Sequence, residues 1–110
     1  MDAISKREEQ ILLAVSSLED AAYLVRIRSD LSTILRKKLS IGAVHIPLRR
    51  LERAGYIEAA FGETTAVRGG RRKKIYRLTP KAISVLHESK RVQDFMWARF
   101  RGLAVKGIPR

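Results

Sequence analysis

A chain of 110 residues is long enough for one modest hydrophobic core and leaves no room for a second. Hydrophobic residues make up 45% of it, so a folded domain is expected, and the absence of cysteine excludes both a disulfide framework and a thiolate metal site. With 23 Lys and Arg against 11 Asp and Glu, the net charge of +12 points to an anionic partner: nucleic acid, an acidic protein or an anionic membrane surface.

Taken in chain order, apolar residues at Ile4, Ile11, Leu12, Val15 and Leu18 predict a first helix from Ser5 to about Leu18, with Glu8 and Glu9 near its positive end. Asp20 is the expected cap of a second helix with the stripe Leu24, Ile27, Leu31, Ile34 and Leu35, closed by Arg36, Lys37 and Lys38. Ser40 caps a third helix, with Val44, Leu48 and Leu51 inward and Gly55 as its stop. Pro47 interrupts that helix chemically, and a bend or an opened hydrogen bond is expected between Ala43 and Pro47.

After Gly55 the period changes from 3.6 to 2. Ile57, Ala59 and Phe61 alternate with Glu58 and Ala60, and Lys74, Tyr76 and Leu78 alternate with Lys73, Ile75 and Arg77, which predicts two strands of a hairpin with a long Gly- and Thr-rich tip over 62–71. Thr79 and Pro80 then open the last helix. On it Ala82, Val85, Leu86, Val92, Met96, Phe100 and Leu103 share one stripe, with Phe95 and Trp97 on its flanks. Helix one of the same chain is one cover for that apolar half; a symmetric dimer, with two such helices packed on each other through Leu86, Val92, Phe95, Met96, Trp97 and Phe100, is the favoured one.

The fold class is therefore mainly α with a small β-hairpin, a winged helix-turn-helix over 1–79, a long helix over 80–104 continuous with it and a basic tail over 105–110. Apolar runs are too short to span a membrane and no secretory h-region follows Met1, so a cytoplasmic setting is expected. His45 and His87 stand outside any metal-binding frame and no P-loop or nucleophile elbow is present, so neither cofactor nor enzymatic activity is expected.

Two constellations carry the functional expectation. In the third helix, Ser40, Gly42, Ala43, His45, Ile46, Arg49, Arg50 and Arg53 lie off the buried stripe, where a recognition helix turns toward the major groove. In the hairpin, Arg68, Gly69, Gly70, Arg71, Arg72, Lys73 and Lys74 form a wing suited to phosphates or the minor groove. From Thr64 to His87 there are seven cations, Arg77 and Lys81 included, and no acid. A sequence-specific regulator of double-stranded DNA is the leading expectation; a basic RNA- or ribosome-associated protein and a winged-helix interaction adaptor are the alternatives.

The segments Ser40-Ile41-Gly42-Ala43-Val44, Leu48-Arg49-Arg50-Leu51-Glu52-Arg53-Ala54-Gly55-Tyr56-Ile57 and Arg68-Gly69-Gly70-Arg71-Arg72-Lys73-Lys74-Ile75-Tyr76-Arg77-Leu78-Thr79 resemble the PadR family of bacterial transcriptional regulators over about residues 9 to 88. The resemblance implies a homodimeric winged-helix repressor on a palindromic operator, joined through its last helix. It also implies a small hydrophobic effector held between subunits by an aromatic of that helix, here Trp97, Phe95 or Phe100. His45 stands where the family usually has a DNA-contacting Tyr, and Pro47 falls one position later than the Pro of many members.

Overall fold

The structure, a computed structural model, describes residues 4–62 and 73–102. Its elements follow the expected order: α1 (Lys6–Leu18), a 3-10 turn (Glu19–Ala21), α2 (Leu24–Leu35), α3 (Ile41–Arg53), β1 (Ile57–Phe61), β2 (Lys74–Leu78) and α4 (Pro80–Ala98). A two-stranded antiparallel sheet beside three packed helices, followed by a long fourth, defines a winged helix-turn-helix.

Local chemistry starts each helix. Ser5 and Glu8 form a reciprocal capping box at α1: the Ser5 hydroxyl accepts from the Glu8 amide at 3.1 Å, and the Glu8 carboxylate accepts from the Ser5 amide at 2.8 Å. Ser40 caps α3 by accepting from the Ala43 amide at 3.1 Å, and Thr79 caps α4 ahead of Pro80. The second helix departs from expectation. Its N-cap is Tyr23, without a side-chain bond, because Asp20 falls inside the 3-10 turn and reaches instead to Arg77 at 3.1 Å.

Ile11, Leu12 and Val15 of α1, Ile27 and Leu31 of α2, and Val44, Leu48 and Leu51 of α3 meet in one core, closed below by Tyr56, Ile57, Tyr76 and Ala82. Ile34 was expected in that core and is 64% exposed. Its periodicity is right, but it lies with Leu13 and Leu35 along an open groove between α1 and α2 that no third element fills. Phe61 is likewise exposed at the outer end of β1, opposite Lys74.

The turn joining α2 to α3 is fastened by the Leu39 amide, which donates to the Ser32 hydroxyl at 3.1 Å, and by Arg28, which donates to the Leu39 carbonyl at 3.1 Å. The hairpin pairs Ile57 with Leu78 and Ala59 with Tyr76, and the Tyr76 amide donates to the Ala22 carbonyl at 2.9 Å, which anchors the sheet to the helices. These bonds tie the α2–α3 turn together and the base of the wing to the helices.

The fourth helix behaves differently. Ala82 is buried and Val85 and Leu86 pack on the core, but from Lys90 to Ala98 every residue is exposed. The last tie toward α1 is a hydrogen bond from the Ser89 hydroxyl to Glu9, at 2.9 Å. The protruding helix stretches the molecule to 65 × 30 × 20 Å, with a radius of gyration of 17.5 Å. About 13 Å is usual for a compact chain of this length. The helix ends at Ala98 rather than continuing to 104, because the Arg99 and Phe100 amides turn back to the Met96 and Trp97 carbonyls. The exposed Phe100 ring then folds over Gly102 and would have to swing aside for a Cβ there. Leu103, the last member of the expected stripe, lies outside the described residues.

Candidate nucleic-acid interface

One face of α3 is covered by the protein and the other is bare. Val44, Leu48 and Leu51 are fully buried, whereas Gly42, Ala43, Arg49, Arg50 and Arg53 are exposed, Ile46 is 70% exposed and His45 is half-buried. At 100° per residue the bare set spans about a third of the helix circumference, opposite the core. A Cβ on Gly42 would meet nothing within 4 Å, so this chain's own packing does not require glycine there. At the start of the helix the Ile41 and Gly42 amides precede the first internal helical bond and point outward with the positive end of the dipole.

Pro47 sits within α3 without ending it. Lacking an amide hydrogen, it leaves the Ala43 carbonyl without the helical donor it would otherwise have, so the ladder is opened between these residues while the helix continues.

Arg50 differs from its neighbours. Two of its guanidinium nitrogens donate to the Glu8 carboxylate, one of them at 2.9 Å. Glu8 is only 4% exposed, while the Arg50 side chain remains 62% exposed. The Arg50 hydrogen bonds hold the Glu8 carboxyl below the usual carboxylate range, against the upward push of burial. The sequence placed Arg50 among the DNA contacts; the structure shows it holding α3 to the start of α1. The Ser-x-x-Glu pattern signalled half of this contact, the capping box, but not the long-range partner.

This pair yields a pH prediction. A depressed folded-state pKa stabilises the protein above the unfolded carboxylate value, about 4.3, and that contribution is lost as pH falls through the lower folded-state value. Glu8→Gln keeps a capping side chain and removes the charge, so it lowers unfolding stability at pH 7 by about 1–2 kcal/mol, the exposure of Arg50 limiting the effect. In denaturant titrations the gap to the parent stays constant from pH 6 to 8 and closes below about pH 4.

The described cations of the wing and of the first turn of α4 also have protein partners. Lys73 lies over the Tyr23 ring at 4.1 Å, Lys74 pairs with Glu52 at 3.2 Å, Arg77 pairs with Asp20, and Lys81 donates to the Ala54 carbonyl at 2.6 Å. The Lys74 and Arg77 pairs are solvent-exposed and therefore weak enough to exchange for a phosphate. Arg68, Gly69, Gly70, Arg71 and Arg72 lie outside the described residues. Helix and wing nevertheless meet: His45, Arg49, Glu52, Arg53 and Lys74 line one open cleft of about 480 Å³ between α3 and β2.

Near the C-terminal end of α4, Trp97 is 65% exposed and packs edge-on against Phe100, with ring centroids 5.1 Å apart. Val92, Phe95 and Met96 are exposed beside them, and α1 of the same chain does not cover them. An apolar-floored cleft of about 520 Å³, lined by Leu13, Leu78, Ile83 and Leu86, runs between α1 and α4 toward this surface.

No protein-family model matches the sequence, and no curated protein matches it significantly. Solved structures do. A PadR-like transcriptional regulator from Bacillus cereus superposes with a TM-score of 0.71 at 23% identity, covering 90% of this chain and 91% of that one. A PadR family transcription regulator from Clostridium difficile gives 0.62 at 26% identity over 88% and 98% of the two chains, and one from Eggerthella lenta gives 0.67 at 21% over 92% and 86%. The chain thus has a winged helix-turn-helix fold. More narrowly, the architecture is that of the PadR-type transcriptional regulators, the family its Leu48–Ile57 and Arg68–Thr79 segments resemble.

Proposed function

We propose that this protein is a DNA-binding transcriptional regulator that acts as a homodimeric repressor on a palindromic operator. The observation that carries the reading is the bare, cationic face of α3, which shares a cleft with the base of a basic wing. In this reading Gly42 lets the backbone approach a phosphate, and the first-turn amides and Ser40 donate to it. Arg49 and Arg53, with no carboxylate bonded to them among the described residues, point outward, and Arg49 is placed to fork onto guanine in the major groove. His45, Ala43 and Ile46 complete the reading surface, while Arg50 sets its orientation.

The dimer reading rests on the exposed apolar half of α4. Val92, Phe95, Met96, Trp97 and Phe100 are all exposed near the end of α4, apolar surface that a monomer leaves in water, and a second copy supplies an identical surface to cover it. Trp97 and its neighbours at such a junction also suit a flat hydrophobic effector whose binding releases the operator. A planar aromatic compound that does so quenches the emission of Trp97, the sole tryptophan, and weakens duplex binding in the same titration.

The direct test is the salt dependence of binding to duplex DNA. With eight to ten phosphates contacted per dimer, log K falls against log salt with a slope of about −7 to −9. A chain that prefers structured RNA over the duplex in competition, or that binds neither, contradicts the proposal. Phe95, Trp97 and Phe100 sit at the end of α4, which leaves Phe61 on β1 as the one exposed aromatic of the described wing strands, too little for a stacking platform, and this favours duplex over single-strand recognition.

A further inference from the structure

Where α3 ends and α4 begins, the two helices are locked by a set of bonds that span 23 to 27 positions of sequence. The Ala54 carbonyl accepts from Lys81 Nζ at 2.6 Å, the Gly55 carbonyl from the Thr79 hydroxyl at 2.6 Å, and the Tyr56 carbonyl from the Thr79 amide at 3.1 Å. The Lys81 ammonium also lies 4.5 Å from the centre of the Tyr56 ring. Three consecutive carbonyls just past the end of α3 are thus all satisfied by the first turn of α4. Gly55 makes the corner possible, with φ at +83°. Beneath it Tyr56 and Ala82 are buried, so the corner is packed as well as bonded.

Neither residue's chemistry requires this arrangement for folding alone. Thr79 already serves α4 as its N-cap, and an exposed lysine ordinarily remains in water. Together they set the angle between the helix that faces the groove and the helix that carries the dimer surface. Because α4 has 19 residues it is about 28 Å long, so a rotation of about 10° at its root moves its far end by about 5 Å. That displacement exceeds one base-pair step, about 3.4 Å.

We propose that Lys81 and Thr79 are positioning residues that fix the distance between the two α3 helices of the dimer, and so the half-site spacing it accepts. The proposal rests on the DNA-binding reading above. Lys81 belongs to the run of cations that the charge pattern assigned to phosphate contact; its ammonium is directed to the end of α3 instead.

The test compares a palindromic duplex selected by the wild-type protein with versions lengthened or shortened by one base pair between the half-sites. Wild type loses affinity on changing the spacing by about tenfold or more. Lys81→Met, which keeps the aliphatic stem over Tyr56, binds a single half-site within about twofold of wild type but discriminates spacing by less than about threefold. Lys81→Gln, a second variant with a shorter donor, gives the same relaxed spacing. Undiminished discrimination in both variants overturns the proposal. So does a salt slope for the single half-site lowered by about one, which marks Lys81 as a direct phosphate contact. Failure of the wild-type protein to bind any duplex overturns the DNA reading itself and this inference with it, a distinct result.

Discussion

Replacing Val92 and Met96 together by glutamate leaves a folded monomer that has lost most of its affinity for a two-site operator. Both positions lie on the stripe that continues Ala82, Val85 and Leu86 along α4, yet both are exposed in the single chain. The core from Ile11 to Tyr76 gains nothing from them, so the cooperative thermal transition persists. At a two-fold junction the four added carboxylates lie close together and away from water. Leaving such charges unpaired costs about 3–5 kcal/mol, which raises the dimer dissociation constant by about 100- to 4000-fold. Affinity for the full operator then falls by about 100-fold or more, because the second half-site is no longer bound at a high effective concentration. Sedimentation analysis reads the change in mass, and Trp97 emission shifts to longer wavelength as its ring returns to water. A variant that remains dimeric places the interface elsewhere.

The wing gives the second large effect. Changing Arg71, Arg72, Lys73 and Lys74 to alanine weakens binding to every duplex regardless of sequence and flattens the salt slope. The loss is not shared equally among them. Lys73 sits on the Tyr23 ring and Lys74 must exchange Glu52 for a phosphate, so the larger contribution is expected from Arg71 and Arg72. Removing those two alone eliminates up to four phosphate contacts per dimer and moves the slope toward zero by about 3 to 4. Affinity near physiological salt drops by about 100-fold, taking each exposed phosphate contact as worth about 0.7 kcal/mol. Lys73→Ala, by contrast, acts mainly by loosening the base of the wing from α2. Equal slopes for the double variant and the parent remove the wing from the interface.

Much of this architecture is legible in the residues. The caps Ser40 and Thr79, the glycine stop at Gly55 and the switch from period 3.6 to period 2 are local signals, and each acts where it stands, whereas Ser5, read as the first residue of its helix, is in fact the cap. What sequence could not supply is contact between distant positions. Asp20 has the right chemistry for a cap but is captured by the 3-10 turn and by Arg77. Arg50 and Lys81 look like free cations in a basic stretch, yet each is directed to a partner 42 or 27 residues away. Ile34 and Phe61 follow the correct period but face places where the fold has no second layer. The exposed aromatics of α4 fall in the same class: periodicity defines the stripe, and the fold leaves its outer half bare.

The central claim is that two copies of α3 read a two-fold symmetric duplex, and selection of bound fragments from a random pool of double-stranded DNA tests it most directly. The account predicts an enriched inverted repeat whose half-sites lie about one helical turn apart, about 10 base pairs between centres. Enrichment of unrelated sequences, or of isolated half-sites without a partner, contradicts it.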